Sequence, residues 1–291
     1  MTTHRPTLTT LRYDVFVTSP EPTVTNVLPH GLEQRLFPPI AATLISGEQD
    51  ALLVDALLTV GQAGDLADWV AAQGKHLMAV YITHGHGDHW FGLSVIRARF
   101  PDARAYALPA VIERMRQDAA QDPFWKQQFP PGKLPDHLVF AEPLPDHTLA
   151  LEGHTLVAVE LGHTDTDDTT CLHVPEIGLV VAGDAVYNDV HLHLEESDLQ
   201  GRRNWLAALD TMEALRPRAV IAGHQRPGRH DGPEILEETR QYIRDFDRLA
   251  QTTETALALY DQMLALYPER INPAVLWNAA RAQKRTLATP R

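Results

Sequence analysis

Five short apolar runs in this chain stop on an aspartate or a histidine. ALLVD ends at Asp55, LMAVYITH at His84, TLVAVELGH at His163, GLVVAGD at Asp184 and RAVIAGH at His224. Runs this short and this rich in β-branched residues predict buried strands rather than helices. Helical patterns lie between them. Asp65 to Gln73 puts Leu66, Trp69 and Val70 on one face, with Gly74 as the cap; Trp90 to Phe100 groups Phe91, Val95, Ile96 and Phe100 ahead of Pro101; Arg202 to Leu215 groups Trp205, Leu209, Met212 and Leu215. Strands alternating with helices define an α/β domain, and such folds gather strand ends and ligands at one edge. One histidine at a strand end is ordinarily a surface residue. His84, His163, Asp184 and His224 together are not easily a coincidence.

The sequence carries a faint internal echo. Thr43–Asp55 (TLISGEQDALLVD) and Thr170–Asp184 (TCLHVPEIGLVVAGD) both read strand, tight turn, strand, Asp. Such an echo suggests a duplicated β-sandwich flanked by helices, with chance similarity of two hairpins as the alternative. Two segments break the rhythm. Residues 109–145 are rich in Pro and aromatics (DPFWKQQFPPGKLPDH) and read as an ordered excursion over the site, or as a surface insertion. From Pro233 the pattern is helical, and Asn272-Pro273 suits the start of a last helix. The expected organisation is a catalytic domain over 1–230, interrupted at about 109–145, and a helical extension over 231–291.

Bulk properties exclude several classes. The chain has 291 residues, 44% hydrophobic and 22% charged, as in ordinary globular enzymes. It is expected to be ordered apart from its first few residues and the Lys/Arg-bearing tail after Gln283. A net charge of −13 argues against nucleic acid as a partner. Cys171 is the one cysteine, so no intramolecular disulfide forms. The N-terminus has no apolar core of the signal-peptide kind, and no run is long enough to span a membrane. A cytoplasmic protein, with no membrane partner, acting on a small molecule, is the expectation; a homodimer is left open.

The chemistry concentrates in Thr83-His84-Gly85-His86-Gly87-Asp88-His89. Four potential ligands sit between a strand and a helix, and imidazole with carboxylate suits zinc and other first-row divalent metals. The two glycines are expected to permit the tight path that turns the side chains toward one point. This segment resembles the H-x-H-x-D-H signature of the metallo-β-lactamase superfamily. His163 in GHTDTD is similar to that family's G-H-[ST] element, Asp184 in AGD to its metal-bridging Asp, and His224 in AGH to its last histidine. The likeness spans roughly Ala41 to His224.

The resemblance implies an αββα fold, four layers with the metals at one edge of the β-sandwich. It implies that His84, His86 and His163 hold one metal, Asp88, His89 and His224 a second, and that Asp184 bridges them. Two divalent ions, zinc first with iron or manganese as alternatives, would share a water that attacks an ester or lactone carbonyl. True β-lactamases of the family generally lack the bridging carboxylate. Thioesterases like glyoxalase II, lactonases and phosphodiesterases have it. Asp184-Ala185-Val186-Tyr187 looks like the Asp-x-x-Tyr of metallo-lactonases, which makes Tyr187 a candidate donor to the substrate carbonyl, with a buried structural tyrosine as the alternative. His191 and His193 are expected on the surface or in packing, with lining the pocket or contacting substrate as the alternative, and Asp55 as a supporting carboxylate at a strand end. Competing activities are thioester hydrolysis, iron-dependent persulfide dioxygenation and a non-catalytic metal scaffold.

Overall fold

The computed structural model describes residues 10–24, 28 and 32–288, so the expectation for the first few residues lies outside what is described. The strands are β1 (Arg12–Val17), β2 (Glu21–Pro22), β3 (Leu36–Phe37), β4 (Ala41–Ser46), β5 (Asp50–Val54), β6 (His76–Tyr81), β7 (Arg104–Ala107), β8 (Glu142–Pro143), β9 (Thr148–Leu151), β10 (His154–Gly162), β11 (Thr169–Val174), β12 (Leu179–Asn188) and β13 (Ala219–Gln225). The helices are α1 (Val60–Ala72), α2 (Leu93–Arg99), α3 (Pro109–Ala119), α4 (Asp122–Gln128), α5 (Leu199–Ala214), α6 (Ile235–Thr252), α7 (Ala256–Leu266) and α8 (Pro273–Ala288). Because α8 runs to Ala288, the expected loose tail after Gln283 is corrected over those residues.

Two main sheets carry the fold, in the orders β1-β4-β5-β6-β7-β8 and β13-β12-β11-β10-β9. Side-chain alternation along β12 shows how they stack. Leu179 and Val181 join a core that also holds Leu44, Leu52 and Val80 of the first sheet. Val180 and Ala182 face the other way, into a core with Trp205 of α5 and Phe246 of α6. Leu66 and Val70 of α1 and Ile96 of α2 pack on the first sheet. The order is helix, sheet, sheet, helix, the αββα sandwich that the resemblance implied. Each fully buried aliphatic side chain in these layers contributes roughly 1.5–3 kcal/mol.

The sequence echo has a topological counterpart. β4 pairs antiparallel with β5, and β5 pairs parallel with β6. β11 pairs antiparallel with β12, and β12 pairs parallel with β13. The turn of the first hairpin closes with Gly47 N–H donating to Asp50 O at 2.9 Å, that of the second with Gly178 N–H donating to Pro175 O at 3.2 Å. Asp55 follows the first of these matching hairpins, and Asp184 lies in the second strand of the other. One boundary departs from expectation: β12 does not stop at Asp184 but runs on to Asn188.

The C-terminal helices share the second core, where Leu259, Met263 and Leu276 pack with the α5 and α6 side chains. A buried guanidinium ties them in. Arg202, 1% exposed, donates to Asp247 Oδ1 at 2.6 Å and to Gln283 Oε1 at 2.9 Å, linking α5, α6 and α8. Breaking a buried ion pair costs about 3–5 kcal/mol, because a charge is left without its partner. Asp247→Ala should lower the unfolding free energy by about that amount in chemical denaturation. A loss below about 1 kcal/mol would show that the helices are only loosely attached.

Candidate metal centre

The loop after β6 is held by a single carboxylate. Asp55 Oδ1 accepts from the Thr83 backbone N–H and Oδ2 from the Thr83 hydroxyl, both at 2.9 Å, and Oδ2 also meets His89 Nδ1 at 2.9 Å. The glycines of this loop act differently from expectation. Neither has a positive φ. A Cβ on Gly85 would lie 2.4 Å from Arg114 Cβ, and one on Gly87 would lie 2.6 Å from the Phe91 ring. They are needed for close approach, of α3 and of the Phe91 ring, rather than for an unusual backbone.

His84, His89 and His224 each have one ring nitrogen anchored outward. His84 Nδ1 lies 3.0 Å from Thr83 Oγ1, His89 Nδ1 2.9 Å from Asp55, and His224 Nδ1 2.8 Å from Pro39 O. An N–H fixed in this way directs the Nε2 lone pair to the opposite side. The opposite sides converge. His89 Nε2 lies 3.1 Å from Asp184 Oδ1, and His224 Nε2 lies 3.2 Å from both Asp184 Oδ2 and Asp88 Oδ2. Candidate donor atoms fall into two adjoining groups, His84, His86, Asp165 and Asp184 in one, Asp88, His89 and His224 in the other, each within 4.8 Å. A further trio, His86, His193 and Glu196, lies at the margin.

His163 is placed differently from what the resemblance implies. It does not enter either group. Its Nδ1 meets Asp167 Oδ1 at 2.6 Å and its Nε2 meets Ser197 Oγ at 2.9 Å, so both nitrogens are engaged elsewhere. β10 ends at Gly162, and a turn closed by Thr164 N–H on Thr166 O at 2.9 Å carries Asp165 inward. Asp165 is fully buried, with Oδ2 2.9 Å from His86 Nδ1 and 3.8 Å from His84 Nε2. The one signal was present in GHTDTD, where an aspartate follows the histidine at the next-but-one position.

The donor chemistry fits divalent cations. His84 Nε2, His89 Nε2, Asp165 Oδ2 and Asp184 Oδ1 are buried polar atoms without a well-formed hydrogen bond among the described residues. Buried polar groups are almost always satisfied, and a cluster of orphans on one point requires an explanation. Asp88, Asp165 and Asp184 also bring three carboxylates out of water, where they need compensating positive charge. Burial by itself would raise the Asp184 carboxyl, but the charges of His224 and His89 overcome it and hold it well below the usual range. Burial by itself would lower His224, yet Asp184 raises it to about 10. His84, lowered by burial and then by His89, is the most ready to be a neutral ligand.

Tyr187 and Asp184 share one face because β12 is irregular. An undisturbed strand would point residues three apart to opposite sides. Here the register against β13 shifts on both sides of Gly183, which has φ +54°. The Tyr187 hydroxyl donates to Asp184 Oδ2 at 2.7 Å, and its ring stacks on His224 with centroids 5.5 Å apart.

A cavity of about 390 Å³ opens on the donors, within the range of small-molecule sites. Asp88, Asp184, Tyr187 and His224 form its floor and Phe124 and Trp125 of α4 one wall. Phe129 is buried in the core and does not line the cavity. His191 and His193 both line the cavity, which was the alternative to their expected surface or packing role. Sequence reasoning also missed Asp118, which accepts from Trp125 Nε1 at 2.9 Å and whose carboxyl burial pushes up to about 7. It missed Glu196 as well, which meets His86 Nε2 at 3.2 Å and accepts from the Thr166 hydroxyl at 2.8 Å.

Comparison with known proteins gives the class. The profile of the metallo-beta-lactamase superfamily matches residues 36–224, so the chain belongs to that superfamily. Its members are mostly metal-dependent hydrolases, and the His/Asp clusters support that general reading here. Among solved structures, the chain is similar to a metallo-beta-lactamase family protein from Thermus thermophilus at 20% identity and TM-score 0.59, covering 94% of this chain and 92% of that one. It is also similar to the metallo-beta-lactamase from Pontibacter korlensis, at 16% identity and TM-score 0.57 over 80% of this chain and 99% of that one. The metallo-beta-lactamase FIM-1 from Pseudomonas aeruginosa, solved in its mono-zinc form, matches at 18% identity and TM-score 0.56 over 82% and 94% of the two chains. At these identities the likeness concerns the fold. No curated protein sequence matches the chain. Among the described residues, no helix is long and apolar enough to cross a membrane.

The exchange of His163 for Asp165 is open to a direct test. Asp165→Ala should lower bound metal, by elemental analysis after dialysis, about tenfold or more in affinity at one position. His163→Ala should leave metal content unchanged. The opposite pattern would return the ligand role to His163.

Proposed function

We propose that this chain is a dinuclear metal-dependent hydrolase acting on an ester or lactone of a small molecule. The observation that carries the reading is the Tyr187 hydroxyl, buried in the cavity floor and held 2.7 Å from Asp184 between the two donor groups. His84, His86 and Asp165 would hold one metal, and Asp88, His89 and His224 the other, with Asp184 reaching both groups. Divalent metals supply an acidified water and a Lewis acid that polarises a carbonyl oxygen. Zinc is the first choice. The oxygen-rich set containing Asp165 also suits manganese or iron better than an all-histidine set would.

The chain's own residues complete the reaction. Asp184 orients the phenol of Tyr187, and burial, reinforced by the negative charge of Asp184, raises that phenol well above its ordinary range. It therefore stays protonated, and its one proton can turn from Asp184 to a carbonyl oxygen that gains negative charge. Phe124 and Trp125 keep the cavity wall apolar, which favours an apolar substituent and strengthens the hydrogen bonds made inside.

One observation favours a second reading. His84, His86 and Asp165 form a two-histidine, one-carboxylate set, the pattern of non-haem iron oxygenases. It supports the persulfide dioxygenase alternative, which needs one iron and consumes oxygen. The filled second group, Asp88, His89 and His224, favours hydrolysis. Two equivalents of zinc with turnover on an ester, lactone or thioester panel separates it from one iron with oxygen uptake. Tyr187→Phe is expected to keep metal content and to lower kcat at least about tenfold with little change in KM. Wild-type turnover by this variant on the best lactone would remove the support for ester and lactone chemistry and favour the thioesterase or oxygenase reading.

A further inference from the structure

Two residues that line the cavity carry a buried polar atom with no hydrogen bond among the described residues. His191 Nε2 and Asn272 Nδ2 have no hydrogen-bond partner among the described residues, and both side chains line the same cavity as Asp184 and Tyr187. His191 is 0% and Asn272 8% exposed. Buried donors of this kind are rarely left unmade in a protein that has no use for them.

Their proximity is built into the backbone. Val190 and Ile271 form a parallel bridge, His191 N–H donates to Ile271 O and Ile271 N–H to Asp189 O, both at 3.0 Å. Asn272, next in the chain, is therefore set beside the His191 segment. Its φ of +64° is a conformation that asparagine tolerates better than most residues. Arg270 fastens the same segment by donating to Val190 O at 2.7 Å.

The tautomer of His191 follows from its neighbour. Its Nδ1 lies 2.9 Å from the Tyr242 hydroxyl. The Tyr242 hydroxyl proton has no other acceptor among the described residues. Tyr242 therefore donates to Nδ1, and Nε2 carries the ring proton. Burial, and then Arg270, hold the imidazole uncharged. The cavity thus offers neutral N–H donors from His191 and Asn272.

We propose that His191 and Asn272 clamp a neutral acceptor oxygen of the substrate, a carbonyl remote from the bond that is cut. The clamp rests on the hydrolase reading above for the position of that bond. A carboxylate is a poorer fit than a carbonyl, because Glu195 and Glu196 line the same cavity against the single guanidinium of Arg35 and would repel it. Asn272 lies beyond residues 36–224, so the determinant is supplied partly by the C-terminal helical region and not by the superfamily core alone.

Matched substrates test the clamp. Esters or lactones are made in pairs, one with a carbonyl along the acyl chain and one with a methylene in its place, the carbonyl being moved stepwise. Wild type should prefer the carbonyl member at one position by about tenfold or more in kcat/KM. His191→Asn leaves an acceptor for Tyr242 and removes the Nε2 donor, and Asn272→Gly suits the positive φ. In both variants the preference should fall toward one. Calorimetric binding of amide-linked, slowly cleaved versions of the same pairs is measured in parallel. Preferential binding in wild type that both variants lose supports the clamp even without turnover, in which case only the hydrolase reading fails. Turnover without discrimination at any position, equal binding of the two members, binding of neither, or a preference that both variants retain overturns it.

Discussion

Three carboxylates, those of Asp88, Asp165 and Asp184, lie buried within a few ångströms of one another's imidazole partners at the edge of this sandwich. An ionised carboxylate removed from water and left uncompensated costs far more than a domain can bear, since net folding stability is only about 5–15 kcal/mol. The arrangement is therefore tenable only with positive charge at its centre. Protons on the imidazoles can supply some of it. Yet the imidazoles of His84, His89 and His224 are each tethered through Nδ1, with Nε2 turned to the carboxylates. That is the posture of ligands. The two sheets, the close-packed Gly85 and Gly87, and the strand irregularity at Gly183 all serve to bring these groups to one place.

Much of this was legible in the sequence because strand ends are. A short β-branched run that stops on His or Asp announces both a buried strand and a polar group at its edge, and β5, β6, β10 and β13 ended within a few residues of where the pattern put them. The αββα order followed from the family likeness of the motifs. The errors arose where local geometry, not pattern, decides. His163 and Asp165 are both chemically suitable, and only the turn from Thr164 to Thr166 determines which one faces inward. Asp184 looked like a strand end because Gly183 interrupts the apolar run, whereas the glycine marks a bulge in a longer strand. The loop glycines looked like conformational hinges and proved to be points of contact with α3 and the Phe91 ring.

The paired hairpins show how one backbone plan serves two ends. Asp55 follows β5 and Asp184 lies in β12, at matching places after antiparallel turns. Asp55, with φ +63°, directs both oxygens at Thr83 and His89 and so fixes the ligand loop. Asp184 directs its oxygens at His89 and His224, in the donor cluster itself. Both aspartates approach His89, Asp55 at Nδ1 and Asp184 at Nε2. The imidazole is thereby oriented by one half of the sandwich and presented to the other.

The sequence pointed to an excursion over the site at 109–145, but no pattern announced which side chains of the elements distant from the motif close the cavity. α4 brings Phe124 and Trp125 to one side, and the segment before α8 brings Asn272 to another. Neither carries a ligand. Both depend on tertiary packing: Trp125 on Phe37 and Phe91, Asn272 on the bridge between Val190 and Ile271. The division of labour is physical. The sandwich edge must hold charge, so its residues are constrained by electrostatics and leave traces as His and Asp at fixed spacing. The cavity walls need only shape and a few hydrogen-bond donors, which many residues can supply from many elements. The donor set is accordingly written in the strands and the loops that follow them, and the shape of the cavity partly in the insertion and the C-terminal helices.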